Sequence, residues 1–154
     1  MEQAFIDQVI ELAVASVRGG GGPFAALVVK DGVVVATGVN QVTRANDPTA
    51  HAEVVAIREA CRVLGTFHLS GCDIYTSCEP CPMCLGAIYW ARPARVFFAA
   101  TRADAAAAGF DDSRIYGQIA VPPAERAIPM IRVPDEQATR PFREWSSKPD
   151  KIPY

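Results

Sequence analysis

The sequence predicts an α/β chain with three layers, α/β/α, and one central mixed sheet of five strands. Two observations carry this. Apolar stripes at helical spacing alternate with short β-branched runs in the order αββαβαβα(β)α, which implies one sheet between helix layers. The first two β-branched runs flank an Asp-Gly pair and are almost wholly apolar, so both faces of the sheet are expected to be covered.

The elements follow in chain order. Residues 4–17 place Ile6, Val9, Ile10, Ala13 and Val17 on one helical stripe, with Glu2, Asp7 and Glu11 on other faces, and Gly19 ends the helix. Residues 24–30 and 33–39 form a hairpin that turns at Asp31-Gly32. A helix over about 49–64 takes Asp47 as its cap and Pro48 at its first position. Residues 73–77 form a short buried strand, and 82–91 a helix opened by prolines. Residues 95–100 are a strand, and 102–108 an Ala-rich helix stopped by Gly109. Residues 128–133 are a last, weaker strand, and 135–145 a terminal helix. The chain reads as a single domain over 1–154, with its one shift in composition in the Pro-rich stretch after Pro122.

Composition narrows the function classes. The 154 residues suit one domain, with 50% hydrophobic and 21% charged residues, as in a globular protein. Fifteen Lys and Arg against 17 Asp and Glu give a net charge of −2. That balance supplies no attraction for nucleic acid or an anionic membrane. The opening residues lack a basic segment, and charges interrupt every apolar stretch. Neither a secretory signal nor a membrane span is expected, and the chain is read as cytoplasmic. Five cysteines stand at 61, 72, 78, 81 and 84. An odd number, with three clustered at 78–84, does not fit a disulfide framework and points to a metal or redox site.

The chemistry concentrates in two segments. His51-Ala52-Glu53 opens one helix, and Glu79-Pro80-Cys81-Pro82-Met83-Cys84 opens another. A lone CxxC is weak, because redox proteins and zinc ribbons share it. Its pairing with an upstream H-x-E is specific. Cys81 and Cys84, one helical turn apart, face the same way, and His51 supplies a third soft ligand. Three protein ligands leave one zinc position for water, the mark of a catalytic site. Two helix N-termini directed at the metal favour thiolate over thiol. Zinc makes hydroxide available near neutral pH, and Glu53 can move protons without binding the metal. These parts suit hydrolytic deamination of an amidine-like ring carbon. Spacing alone also permits a Cys78–Cys81 pair.

H-A-E with P-C-P-M-C resembles the cytidine deaminase superfamily, whose zinc deaminases carry H-x-E and P-C-x-x-C. Within it the chain is most similar to the bacterial guanine deaminases. The likeness rests on Gly22-Pro23-Phe24, Asn46 to Glu53, Thr76 to Pro93, Ala108-Gly109-Phe110-Asp111-Asp112-Ser113 and the C-terminal Tyr154. It runs nearly end to end, and Ala25 departs from it where glycine is expected after Pro-Phe.

The resemblance implies a cytidine-deaminase-like fold and conversion of guanine to xanthine and ammonia. It makes His51, Cys81 and Cys84 the ligands of one zinc ion per chain, selecting Cys84 over Cys78, and Glu53 the proton shuttle. It implies that Asn40 hydrogen-bonds the purine, that Ala52 contacts it, and that Phe24 and Trp90 wall the pocket. Asp112 and Tyr154 contact the base or close over it. The partner is a small purine base and a second copy of the chain. In that homodimer about residues 135–154 swap onto the other subunit's site. A second proton-relay acid falls to Asp112 or Glu144, which the resemblance leaves open.

Plainer roles stand beside these. Cys61, Cys72 and Cys78 suit packing, and His68 has no partner motif. Asn40 suits a turn, and Phe24 and Trp90 a core. Asp111 and Asp112 suit the cap of a helix starting near Ser113. Tyr154 suits a frayed terminus, and Arg92, Arg95 and Arg102 a solvated face. Rival activities on the same motif are tRNA adenosine deamination, guanosine deamination and ammeline deamination. Rivals of another class are a structural zinc module, which has no use for Glu53, and a CxxC redox protein, which has none for His51.

Overall fold

In the computed structural model, which describes residues 1–154, the first apolar stripe becomes α1 (Glu2–Arg18), burying Val9 and Ala13. The hairpin follows as β1 (Ala25–Lys30) and β2 (Val33–Val39). Its turn uses Asp31 at φ 51° and Gly32 at φ 77°, the left-handed pair that a tight D-G hairpin requires. Next come α2 (Val42–Ala45), α3 (Ala52–Leu64), β3 (Cys72–Cys78), α4 (Pro82–Ala91), β4 (Arg95–Ala100) and α5 (Arg102–Ala107). The chain divides into two units, Met1–Asp112 and Ser113–Tyr154, and the sheet lies in the first.

Strand order is β2-β1-β3-β4. β1 is antiparallel to both neighbours, whereas β3 and β4 run parallel, so the sheet is mixed. The parallel pair needs a crossover, and α4 provides it. The alternation along β1 makes the layers. Ala26 and Val28 join Ala52, Ala56 and Ala60 of α3 and Ile88 and Ala91 of α4 in one core. Ala25, Leu27 and Val29 join Val9 and Ala13 of α1 in the other. Each fully buried Leu27, Ile74 or Val9 contributes about 1.5–3 kcal/mol. α3 can seat this closely because β2 carries a glycine beneath it. A Cβ on Gly38 would lie 2.3 Å from the Ala52 carbonyl oxygen and 2.5 Å from the Ala56 nitrogen.

Three sequence expectations need correction. The sheet has four strands, not five. Residues 128–133 form no strand: Pro129 has no N–H to give a ladder, Pro134 follows, and Ile128 and Ile131 are each 78% exposed. Asp47 and Pro48 do not start a helix. Asp47 Oδ1 instead accepts from Thr49 N–H at 2.8 Å and Thr49 Oγ1 at 2.7 Å, closing a turn, and α3 begins at Ala52. The terminal helix is later and shorter than expected.

The second unit holds α6 (Ser113–Ile119), a 3-10 turn (Pro123–Glu125) and α7 (Arg140–Ser147). Ile115, Ile119, Ile128 and Met130 line a cavity of about 690 Å³ within it, together with Arg114 and Arg126. No helix of the chain is long and apolar enough to cross a membrane.

Candidate functional site

Two helix starts build the site. His51 is the N-cap residue of α3 and Cys81 that of α4, both with extended backbone (φ −67°, ψ 154° and φ −68°, ψ 169°). Neither side chain caps its helix. Each is released for another use. Pro82 stands in the first turn of α4, and Cys84 lies one turn beyond Cys81 on the same side.

His51 Nδ1 lies 3.5 Å from Cys81 Sγ and 3.5 Å from Cys84 Sγ, and the three donor atoms sit within 4.8 Å of one another. A tetrahedral zinc with Zn–S of about 2.3 Å and Zn–N of about 2.05 Å separates nitrogen from sulfur by about 3.5–3.6 Å. The spacing and the soft donor set therefore fit zinc.

Proton placement in the triad is uneven. Hydrogen bonding from Cys84 holds the Cys81 thiol down to about 4, aided by His51. The same bond pushes Cys84 well above the ordinary thiol range, with burial adding to it. The hydrogen bond to Cys81 raises His51. A metal entering this site would displace those protons.

Glu53, in the first turn of α3, is only 7% exposed. Its Oε2 accepts from Cys84 Sγ at 3.4 Å. Burial raises its carboxyl above the usual range, opposed in smaller measure by hydrogen bonds from its own backbone N–H and from Cys84. This is a carboxyl beside the triad and able to hold a proton. Cys78 lies outside the triad. Its Sγ donates to the Thr101 carbonyl at 3.5 Å, and burial pushes its thiol to about 11.

Residues 1–100 match the family described as the cytidine and deoxycytidylate deaminase zinc-binding region. The chain belongs to this family. It is 55% identical over 153 residues to the guanine deaminase of Bacillus subtilis, an alignment covering 99% of this chain and 98% of that one. The X-ray structure of that guanine deaminase superposes with a TM-score of 0.97. A tRNA-specific adenosine deaminase of Aquifex aeolicus is 39% identical over 99 residues, covering 64% of this chain and 66% of that one.

The other expected site residues of this deaminase-family chain are placed as follows. Asn40 follows β2, and its N–H donates to the Phe24 carbonyl at 3.1 Å. The next residue, Gln41, donates to the carbonyl of Ala50, which precedes His51, at 2.9 Å. Asn40 and Phe24 are thus held beside the start of α3, where Ala52 is fully buried. Asp112 faces Arg102 at 3.9 Å. Trp90, near the end of α4, is 65% exposed. Tyr154 belongs to the second unit, where its ring stands edge-on to Trp145 at 6.4 Å. Glu144 pairs with Arg140 at 3.9 Å in the same unit.

Two contributors were not expected. Phe110 meets Phe24 edge-to-face with centroids 5.0 Å apart. An aromatic directly after the Gly109 stop was the available signal. Glu79 accepts the Arg102 N–H at 3.0 Å, tying the Cys81 loop to the start of α5. Nothing local in the sequence marks that contact, which joins residues 23 positions apart.

Proposed function

We propose that this chain is a zinc-dependent guanine deaminase that hydrolyses guanine to xanthine and ammonia. The observation that carries the proposal is the 55% identity to a guanine deaminase over 99% of the chain. That alignment takes in 153 of the 154 residues, whereas the match to a tRNA-specific adenosine deaminase covers 64% of the chain.

His51, Cys81 and Cys84 would hold the metal. When bound there, zinc supplies a water acidified toward neutral pH. Glu53 takes a proton from the attacking water and delivers it to the leaving amine. Its near-total burial keeps bulk water from competing for that proton. Asn40 hydrogen-bonds the purine, Ala52 contacts it, and Phe24 and Trp90 wall the pocket. Asp112 and Tyr154 contact the base or close over it, and a second relay acid is Asp112 or Glu144.

The functional unit is a cytoplasmic homodimer in which residues 135–154 cover the other subunit's site. Phe142, Trp145, Ile152 and Tyr154, all exposed in the single chain, support that reading. The partner is a free base, in keeping with a net charge of −2.

The test is ammonia release by the purified, zinc-loaded chain with guanine, guanosine, adenine, cytosine and ammeline. Guanine is expected to turn over fastest by a wide margin. A preference for guanosine, adenine or ammeline would overturn the assignment. Light scattering at micromolar concentration should give twice the chain mass, and a monomer that retains full activity would remove the swapped lid.

A further inference from the structure

We propose that Gly22 is a positioning residue for the Asn40 carboxamide. The inference rests on the reading of Asn40 as the hydrogen-bonding partner of the base.

The run Gly19 to Gly22 reads as a short loop, and only Gly20, at φ 83°, uses a left-handed backbone. Gly22 is needed for a different reason, which is space. A Cβ there would lie 3.0 Å from Asn40 Cγ, 3.1 Å from its Oδ1 and 3.3 Å from its Cβ. One step earlier, a Cβ on Gly21 would lie 2.6 Å from Ser16 Oγ and 3.3 Å from the Asn40 carbonyl oxygen. The loop therefore passes against Asn40 along both its backbone and its side chain.

Both walls are tied down by backbone hydrogen bonds close to the contact. Gly19 and Gly21 donate to the carbonyls of Ala15 and Ser16 at 3.0 and 2.8 Å, fixing the loop to the end of α1. The Arg44 guanidinium donates to the Gly19 carbonyl, fixing it to α2. The backbone of Asn40 is held by Phe24, and its neighbour Gln41 by Ala50. The Asn40 side chain is the part left to yield.

That side chain is itself in defined use. Its Oδ1 accepts from Val42 N–H at 3.2 Å. With the oxygen turned to a backbone donor, the amide nitrogen and its two hydrogens remain for a ligand, so Asn40 is set to address an acceptor. A purine oxo group or ring nitrogen is such an acceptor. A methyl group at position 22 displaces the carboxamide by a few tenths of an ångström and weakens the Val42 bond that sets its orientation. Misplacement by about 1 Å costs about 100-fold in rate, so a smaller shift is expected to cost about tenfold.

The experiment is a double-mutant cycle on the zinc-loaded full chain: wild type, Gly22→Ala, Asn40→Ala and the pair. It reads kcat and KM for guanine, inhibition by hypoxanthine (a purine with no amino group to lose), zinc content and Tm. Gly22→Ala is expected to lower kcat/KM about tenfold and to weaken hypoxanthine in step, with zinc content unchanged. Asn40→Ala is expected to lower kcat/KM about 100-fold. Adding Gly22→Ala to Asn40→Ala should then change it less than about twofold, because the Cγ and Oδ1 contacts are gone and only the 3.3 Å approach to the Cβ remains.

Losses that multiply in the pair would overturn the proposal, as would an unimpaired Gly22→Ala beside an impaired Asn40→Ala. An unimpaired Asn40→Ala would instead remove the base-binding reading of Asn40, and the positioning role with it. If Gly22→Ala fails to fold, recovery of the fold in the pair supports the contact. Failure of both gives the loop a role in folding alone and overturns the proposal.

Discussion

Glu53→Gln separates proton transfer from metal binding. Gln has the shape of Glu and fills the same volume in the first turn of α3, at a residue only 7% exposed. It keeps an oxygen near Cys84 but cannot carry a proton between water and amine. A positioned general acid–base group contributes about 10²–10⁴-fold, so deamination should fall by roughly that factor. The three candidate ligands are untouched, so zinc content by mass spectrometry should stay at about one per chain. Exchanging a carboxyl that burial opposes for a neutral amide should leave Tm unchanged or higher. Glu53→Asp refines the test. It retains the acid but withdraws it by about one carbon–carbon bond, about 1.5 Å, which should cost about 100-fold. Zinc lost together with activity would make Glu53 a ligand. Turnover retained in Glu53→Gln would place the proton path elsewhere. Either result refutes the reasoning.

Other perturbations follow from the same structure. Cys84→Ser should lose most of its zinc and activity, whereas Cys78→Ser should keep both, since Cys78 Sγ is engaged with the Thr101 carbonyl; metal analysis distinguishes them. Gly38→Ala forces backbone of α3 away from β2 and should destabilise by about 1–3 kcal/mol in urea unfolding, with a matching loss of zinc affinity. An unchanged midpoint would show that α3 does not depend on that close approach. Removing residues 151–154 should depress turnover more than Tm, and a fully active truncation would exclude Tyr154 from the site. The Thr101–Asp104 capping box holds the Asp104 carboxyl below its ordinary value. Its stabilisation is thus present above the unfolded value of about 3.9 and lost as pH falls through the lower folded value. The Tm gap between wild type and Asp104→Ala should be steady from neutral pH to about 5 and narrow progressively below about 3.9; a gap that does not narrow at all on further acidification would remove the charge from the cap.

What the sequence disclosed follows the range of the forces involved. The D-G turn, the apolar strands and the proline-opened helix are local signals, and β1, β2 and α4 appear where they indicate. The H-A-E and C-P-M-C segments were legible because each sits within one helical turn. The start of α3 was misplaced because Asp47 can close a turn as readily as it can cap a helix, and the choice depends on its neighbours. Residues 128–133 carry strand-like side chains, but a strand also requires N–H groups and a partner edge, and Pro129 denies the first. The contacts of Glu79 with Arg102 and of Gly22 with Asn40 join distant positions, so no window of sequence contains them.

The histidine and the first cysteine of the triad stand where Ser, Thr, Asp or Asn ordinarily closes off a helix, and neither performs that service. α3 and α4 therefore begin without the side-chain acceptor that contributes about 0.5–2 kcal/mol at each such start. Capping and ligation are competing uses of the same two side chains, and both are turned away from capping and toward the other members of the triad. With zinc held by His51, Cys81 and Cys84 as proposed, the first turns of α3 and α4 would draw part of their rigidity from the ion. Chelation should speed amide exchange there before it affects β1 or β3, coupling the loss of the cofactor to local opening of the segments that carry Glu53 and Cys84.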